Sequence, residues 1–295
     1  MKDDQASATA YTVLQGVLFS ASKPELRGLV APEMKEACEQ ILSASYEGQK
    51  RLQQLKSPLF RAMAPAIESL MMPGITLHYV LRKRYIRDAV EQAIAEGVTQ
   101  VINLGAGFDT LAWELHVRYP QVNFIELDHP ATGAQKKKAL FDKSPSNLHL
   151  LAVDFSQTDA RTALSEYSGF DAGRNTFYIC EGVLMYLDRA DVDRLFSGLK
   201  QLTGAGSRFV YTCVVPMNSA DNNCGALLKL YLKFKNEPLN WMIEQQEQAD
   251  FVEQQGYQLN EIANTNVLRE RYLKGISHST LHQGEYLVST TALAD

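Results

Sequence analysis

Three acidic side chains stand directly after apolar runs: Asp128 after FIEL, Asp154 after LLAV and Glu181 after FYIC. A fourth run, VINL, breaks into Gly105-Ala106-Gly107, followed by Asp109-Thr110. That pattern reads as strand, tight turn and helix. Glycine lets the backbone turn sharply there and lets a ligand lie against the main chain. Glu126 and Asp128 end the next strand, where a carboxylate can bridge the two hydroxyls of an adenosine ribose. A dinucleotide fingerprint would put a third glycine at position 110, where this chain has Thr110. Its absence points to a nucleoside cofactor without a pyrophosphate, of which S-adenosylmethionine is the common one.

Ligands of open parallel sheets sit beyond the carboxyl ends of the strands, so the residues that follow each strand are the candidates for binding. On this reading Asp128 holds a ribose. Asp154 meets an adenine amino group with Phe155 against the ring, and Glu181 meets a methionine ammonium. The alternative is that Asp154 and Glu181 only cap helices, as acids at such junctions often do. A carboxylate tail needs a cation, and a guanidinium can pair with it through two parallel hydrogen bonds. In LRKRY, Arg82 is the first choice and Arg84 the second; the alternative is a basic helix face in water.

Composition limits the classes. The 295 residues are 45% hydrophobic and 21% charged, enough to bury a sizeable core. A formal net charge of −5 argues against a nucleic-acid surface, which needs a basic face. Lys136-Lys137-Lys138, the one tight basic run, reads as a solvated helix face. Cys38, Cys180, Cys213 and Cys224 lie far apart with no Cys-x-x-Cys pair, which predicts reduced, mostly buried thiols in a cytoplasmic protein, with neither zinc nor a disulfide framework. The start lacks a basic flank and apolar signal core, and no run of about twenty apolar residues occurs, so export and membrane spanning are not expected.

Residues 1–95 read as a helical cap, broken by Pro58, Pro65 and Pro73-Gly74. From residue 96 strands and helices alternate. Strands are expected at Val101–Leu104, Val122–Leu127, Leu148–Val153, Thr176–Cys180 and Arg208–Val215. Helices are expected at Thr110–Tyr119, Ala131–Phe141, Asp159–Tyr167 and Arg189–Leu202. This alternation implies an α/β fold, a doubly wound, mostly parallel sheet covered on both faces. Residues 216–245 interrupt it as a substrate-cap insertion, with a helix expected over Asn218–Lys235. Glu244–Gln255 reads as a helix stopped by Gly256. Tyr257–Ile262 and Glu285–Thr290 complete a seven-stranded sheet as an antiparallel edge.

NLGAGFDT, ELDHP, VDF and CEGVLMYL, in this order and spacing, resemble the leucine carboxyl methyltransferase family, including its bacterial O-methyltransferase members. The resemblance runs from about Arg82 to Val215, and EGVLMYL is its most specific piece. It implies a class I methyltransferase fold and S-adenosylmethionine contacts at Arg82, Gly105, Asp128, Asp154-Phe155 and Glu181, with Ala106 and Gly107 in the same turn. Members often carry a further basic residue in the N-terminal helix, where TAYTVLQGVLFSA offers only Gln15.

A sulfonium methyl is already an activated electrophile, and a carboxylate, which ordinarily loses its proton at about pH 4, is already a nucleophile at neutral pH. A small, fairly apolar acid then needs positioning rather than a base. A phenol, pKa about 10, would favour one. His278 and His282 are the plausible bases outside the cofactor half, each otherwise an ordinary loop residue, and His129 reads as structural or close to the adenosine. Tyr186 and Tyr211 are candidates for positioning an acceptor. Phe60, Met71, Met72, Leu227, Leu230, Tyr231, Phe234 and Trp241 would line an apolar pocket if the cap and insertion meet, or else pack the cap. Other readings are methylation of a protein C-terminus, a nicotinamide oxidoreductase and a non-catalytic S-adenosylmethionine sensor.

Overall fold

The computed structural model describes residues 7–141, 145–225, 228, 239–276 and 280–294. Five helices precede the sheet: α1 (Ala8–Ala21), α2 (Pro32–Ser43), α3 (Tyr46–Lys56), α4 (Pro58–Met71) and α5 (Ile75–Ala95). Local chemistry sets their starts. The Ser7, Ser45 and Ser57 hydroxyls accept backbone N–H bonds at the starts of α1, α3 and α4. Pro32 and Pro58 occupy first helical positions, where the missing N–H costs nothing. Pro65 lies inside α4 and does not break it.

Beyond α5 come β1 (Gln100–Leu104), α6 (Leu111–Leu115), β2 (Asn123–Asp128), α7 (Pro130–Leu140), β3 (Leu148–Ala152) and α8 (Ala160–Glu166). Then follow β4 (Thr176–Cys180), α9 (Arg189–Thr203), β5 (Arg208–Val214), α10 (Gln248–Gln254), β6 (Tyr257–Ala263), α11 (Thr265–Tyr272) and β7 (Glu285–Ala292). The sheet order is β3-β2-β1-β4-β5-β7-β6. All pairings are parallel except those of β7, which runs antiparallel between β5 and β6. Apolar strands such as TFYIC are buried along their whole length because helices cover both faces. One core gathers Phe196, Phe209, Tyr211 and Phe251, a second packs Leu81, Tyr85 and Ile86 of α5 against Val101, Phe124 and Ile179, and a third joins Leu14 and Val17 of α1 to Ile41 of α2 and Val80 of α5.

Three expectations change. The helix after the glycine turn is only Leu111–Leu115, and Pro120 bars its regular extension through Tyr119. Asn218–Gly225 forms turns rather than helix, and 226–227 and 229–235 lie outside the described residues. Lys136 is buried, not solvated, and its ammonium meets Glu126 at 2.5 Å. Thr132, Lys136 and Leu140 form one stripe of α7 that faces inward, so helical phase outweighs the composition of the lysine run.

The chain begins its sheet at β1, works outward to β3, then crosses to β4 on the other side. A crevice at the carboxyl ends of β1 and β4 is the point where such a reversal exposes loops to a ligand. No helix among the described residues is long and apolar enough to cross a membrane.

Candidate functional site

The glycine turn is fastened to its neighbours on both sides. The Gly105 and Ala106 N–H groups both donate to the Leu127 carbonyl, at 2.8 and 3.1 Å. Gly107 N–H donates to Asp128 Oδ2 at 2.6 Å, and His129 N–H to Asp128 Oδ1 at 2.8 Å. Burial nevertheless pushes the Asp128 carboxyl above its usual range, against these two donors. The imidazole of His129 caps α7 by accepting from Ala131 N–H, which is a structural role. Val153 N–H reaches the Asp128 carbonyl at 2.8 Å, so Asp154 follows on the adjacent strand end.

A buried ionic network lies over the ends of β1, β4 and β5. Arg82 Nη2 meets Glu181 at 2.6 Å and Arg82 Nη1 meets Glu285 Oε2 at 2.6 Å. Lys83 Nζ meets Asp109 at 2.5 Å and Glu181 at 3.1 Å. His78 Nε2 lies 2.8 Å from Glu285 Oε2. Helical spacing explains the first gathering: His78 and Arg82 are four apart on α5 and share a face. Topology explains the second, because β7 is antiparallel and its first residue, Glu285, pairs with Val214 at the end of β5. Burial opposes ionisation of Glu285, but Arg82 and His78 outweigh it and hold its carboxyl far below the usual range. Burial likewise opposes ionisation of Asp109, and Lys83 outweighs it. Three carboxylates face two cations, leaving one uncompensated negative charge when the histidines are neutral.

The sequence-derived candidates therefore divide. Arg82, Gly105, Ala106, Gly107, Asp128 and Glu181 come together along one rim. Asp154 is half-buried and accepts from the backbone and hydroxyl of Ser156, the local turn-capping role, while Phe155 is 39% exposed beside it. Arg84 points to solvent and pairs with Asp88, so it is no alternative to Arg82. Tyr211 is a correction. It sits within β5 in the core, its hydroxyl donating to Gln248, and cannot position a substrate at the rim. Tyr186 is 41% exposed in the short 3-10 turn Leu184–Tyr186, after the Glu181 loop.

His282 is also not an ordinary loop residue: it is buried with its ring edge-on to His78 at 5.6 Å between centroids, and burial drives its pKa down to about 3. His278 lies outside the described residues. Of the apolar set, Phe60 packs edge-on against Phe19 and Trp241 sits in the core beside Phe251, whereas Leu227, Leu230, Tyr231 and Phe234 lie outside the described residues. Gln15 is tied to a cation supplied from elsewhere, because Arg51 of α3 donates to it at 3.0 Å. Lys83, His78 and Glu285 join the site without having been marked by sequence. The four-residue step from His78 to Arg82 is a usable signal, but nothing local marks Glu285.

Glu114, behind the glycine turn, accepts from Thr110 and pairs with Arg87 at 2.6 Å, yet burial lifts its carboxyl to about 7. A raised pKa adds stability that is fully present below the unfolded value near 4.5 and is lost as pH rises toward 7, at up to about 1.4 kcal/mol per unit. Glu114→Gln is therefore expected to shrink the loss of stability between pH 5 and pH 8. Urea unfolding at both values measures this, and an unchanged loss would contradict it.

The sheet order and the single reversed strand, with a glycine turn and acidic strand ends along one rim, define the class I methyltransferase fold. The chain belongs to the leucine carboxyl methyltransferase family, whose pattern matches residues 30–200, more than half of its length. It is similar to a Mycobacteroides abscessus protein assigned as an S-adenosyl-L-methionine-dependent methyltransferase. The two are 32% identical over 185 residues, which cover 60% of this chain and 59% of that one. A Mycobacterium marinum protein assigned alike is 35% identical over 132 residues, 43% of each chain. The chain thus aligns with less than two thirds of those relatives' length. Among solved structures, a DUF574 family protein from Streptomyces avermitilis matches with a TM-score of 0.58 at 13% identity, covering 98% of this chain and 99% of that one. A Thermobifida fusca protein assigned as a methyltransferase matches with a TM-score of 0.57 at 17% identity, covering 87% and 94%. At those identities the likeness concerns the fold alone.

Proposed function

We propose that this chain is an S-adenosylmethionine-dependent O-methyltransferase acting on a small, fairly apolar metabolite. The observation that carries the reading is the single rim on which the glycine turn, Asp128, Arg82, Lys83 and Glu181 meet. Its donor set suits the methyl donor part by part: Asp128 for the ribose diol, Arg82 and Lys83 for the carboxylate, Glu181 for the ammonium, with Asp154-Phe155 beside the adenine. A donor of net charge +1 also offsets the one excess negative charge of the network. A Cβ at Gly105 would meet Val183, so glycine there lets the turn sit close against the Glu181 loop. When bound, the donor supplies a methyl group on a positively charged sulfur. The protein's part is to hold it, keep water out and set the acceptor oxygen in line, where orientation is worth roughly 7–11 kcal/mol.

Family membership supports a carboxylate acceptor and a methyl ester product, for which no base is required. The His78–Glu285 pair favours a second reading, a hydroxyl acceptor. The buried thiols of Cys38, Cys180 and Cys213 suit a reducing, cytoplasmic setting.

Titration calorimetry with S-adenosylmethionine and with NAD tests the donor. Binding of NAD alone would overturn the proposal, and tight donor binding without product from any acceptor would favour a sensor. Asp128→Ala is expected to weaken donor binding by about 1.5–3 kcal/mol, the worth of a charged hydrogen bond. Unchanged affinity would contradict the ribose role.

A further inference from the structure

We infer that His78, held by Glu285, is the proton acceptor for a hydroxyl-bearing methyl acceptor, a phenol or an enol, and that the product is a methyl ether. The inference rests on the methyl-transfer reading above and takes its second branch.

The argument begins with charge. Glu285 is ionised, because Arg82 Nη1 and His78 Nε2 both bind its Oε2. A carboxylate can only accept, so His78 Nε2 carries a proton, and in the neutral ring Nδ1 is then a bare lone pair. His78 is 1% exposed, and its Nδ1 has no hydrogen-bond partner among the described residues. A buried acceptor without a donor is costly, on the order of 1–3 kcal/mol, and a catalytic role is one explanation for keeping it. The geometry is that of a base oriented by a carboxylate, the arrangement by which an imidazole is fixed in one tautomer and its protonated form stabilised.

Its surroundings agree. Arg82 bridges Glu285 to Glu181, so the imidazole is one side chain removed from the rim that collects the donor candidates. His282 Nδ1 is likewise buried without a partner among the described residues, on a ring facing His78. The charged and titratable groups about His78 are therefore Glu285 of β7, Arg82 of its own helix, and His282 from the loop before β7. The Arg82 and Glu285 charges offset each other and burial keeps His282 uncharged, so this pair leaves no excess positive charge for an anion and suits a neutral O–H group. In the step itself the acceptor O–H bond breaks and its proton passes to His78 Nδ1. The oxygen bonds to the methyl carbon while the carbon–sulfur bond yields its electron pair to sulfur. The positive charge leaves the sulfur and appears on the imidazolium, beside Glu285.

Two measurements test this. Nitrogen NMR of the chain labelled at its six histidines, with His78→Gln for assignment, reads the tautomer without any acceptor. A proton on Nε2 and a bare Nδ1 at neutral pH are expected; a proton on Nδ1 would overturn the inference. Methyl transfer is then followed from labelled S-adenosylmethionine into hydroxyaryl carboxylic acids such as 4-hydroxybenzoate, and into the same compounds with either group already methylated.

Label stable to mild alkali, and retained when the carboxyl is blocked, is expected. His78→Gln should lower kcat by about 10²–10⁴-fold and abolish its rise with pH, while donor affinity by calorimetry changes less than about twofold. Methanol released by mild alkali, or an unchanged kcat, would overturn it. If no compound takes the label, the tautomer decides. Failure of the wild-type chain to bind the donor would instead sink the methyl-transfer reading.

Discussion

Arg82→Met is expected to destabilise the fold by about 3–5 kcal/mol and to weaken donor binding, with Lys83 left as the one cation for the carboxylate. The guanidinium is 5% exposed and sits between two carboxylates at 2.6 Å each. Removing one member of a buried ion pair is costly because the partner's charge stays behind without compensation. Here two partners stay behind. Glu181 keeps Lys83, but Glu285 keeps only His78. The cost falls therefore mainly on Glu285. Against a typical total of about 5–15 kcal/mol, such a loss is visible in any urea titration. The assignment to Glu285 has its own check: Arg82→Met combined with Glu285→Gln should recover a good part of the stability, because the second change removes the stranded charge. A double variant no more stable than the single one would show that the cost lies elsewhere. Donor binding should stay weakened in both, since neither restores the guanidinium and Lys83 alone remains for the carboxylate.

The same residues show what a linear chain can and cannot reveal. The parallel half of the sheet is legible because its signals are local: apolar runs of strand length, turn glycines, and acids at strand ends. Tyr257–Ile262 and Glu285–Thr290 are readable as an edge pair for the same reason, although β7 lies inside β6. Gly105, Asp128 and Arg82 stand out because spacing and residue type mark them. His78 and Glu285 are 207 positions apart and meet only because β7 enters the sheet reversed, a fact that no window of sequence contains. Lys136 misleads in the opposite way: composition draws attention to three lysines, while the stripe of Thr132, Lys136 and Leu140, spaced four apart, decides burial. Tyr211 is close to a strand end in sequence, but it stands three residues before Val214 in a strand covered on both faces. The absence of an evident base, on which the carboxylate expectation rests, is an absence of local signal.

Gly105→Ala should cost about 2–5 kcal/mol, and Gly107→Ala distinctly less, although both glycines have positive φ. At φ +67° for Gly105 and +53° for Gly107, an L side chain pays roughly 1–2 kcal/mol in either case. What separates them is space. A Cβ on Gly105 would lie 2.4 Å from Val183 Cγ2, while one on Gly107 meets only Ala10 Cβ at 3.7 Å, an ordinary contact. Valine is stiff about χ1 and cannot swing its methyl away freely. Relief must therefore come from moving the backbone of the Glu181-Gly182-Val183 loop or of the glycine turn, at about 1–3 kcal/mol for an overpacked contact. Those two segments carry the rim, so the cost should appear twice: as a lower urea midpoint with an unchanged slope, and as weaker donor binding at a protein concentration where the variant is still folded. Equal losses for the two substitutions would mean that backbone conformation alone demands these glycines. A larger loss at Gly105 would identify its contact with Val183 as what fixes β1 against β4 at the crevice.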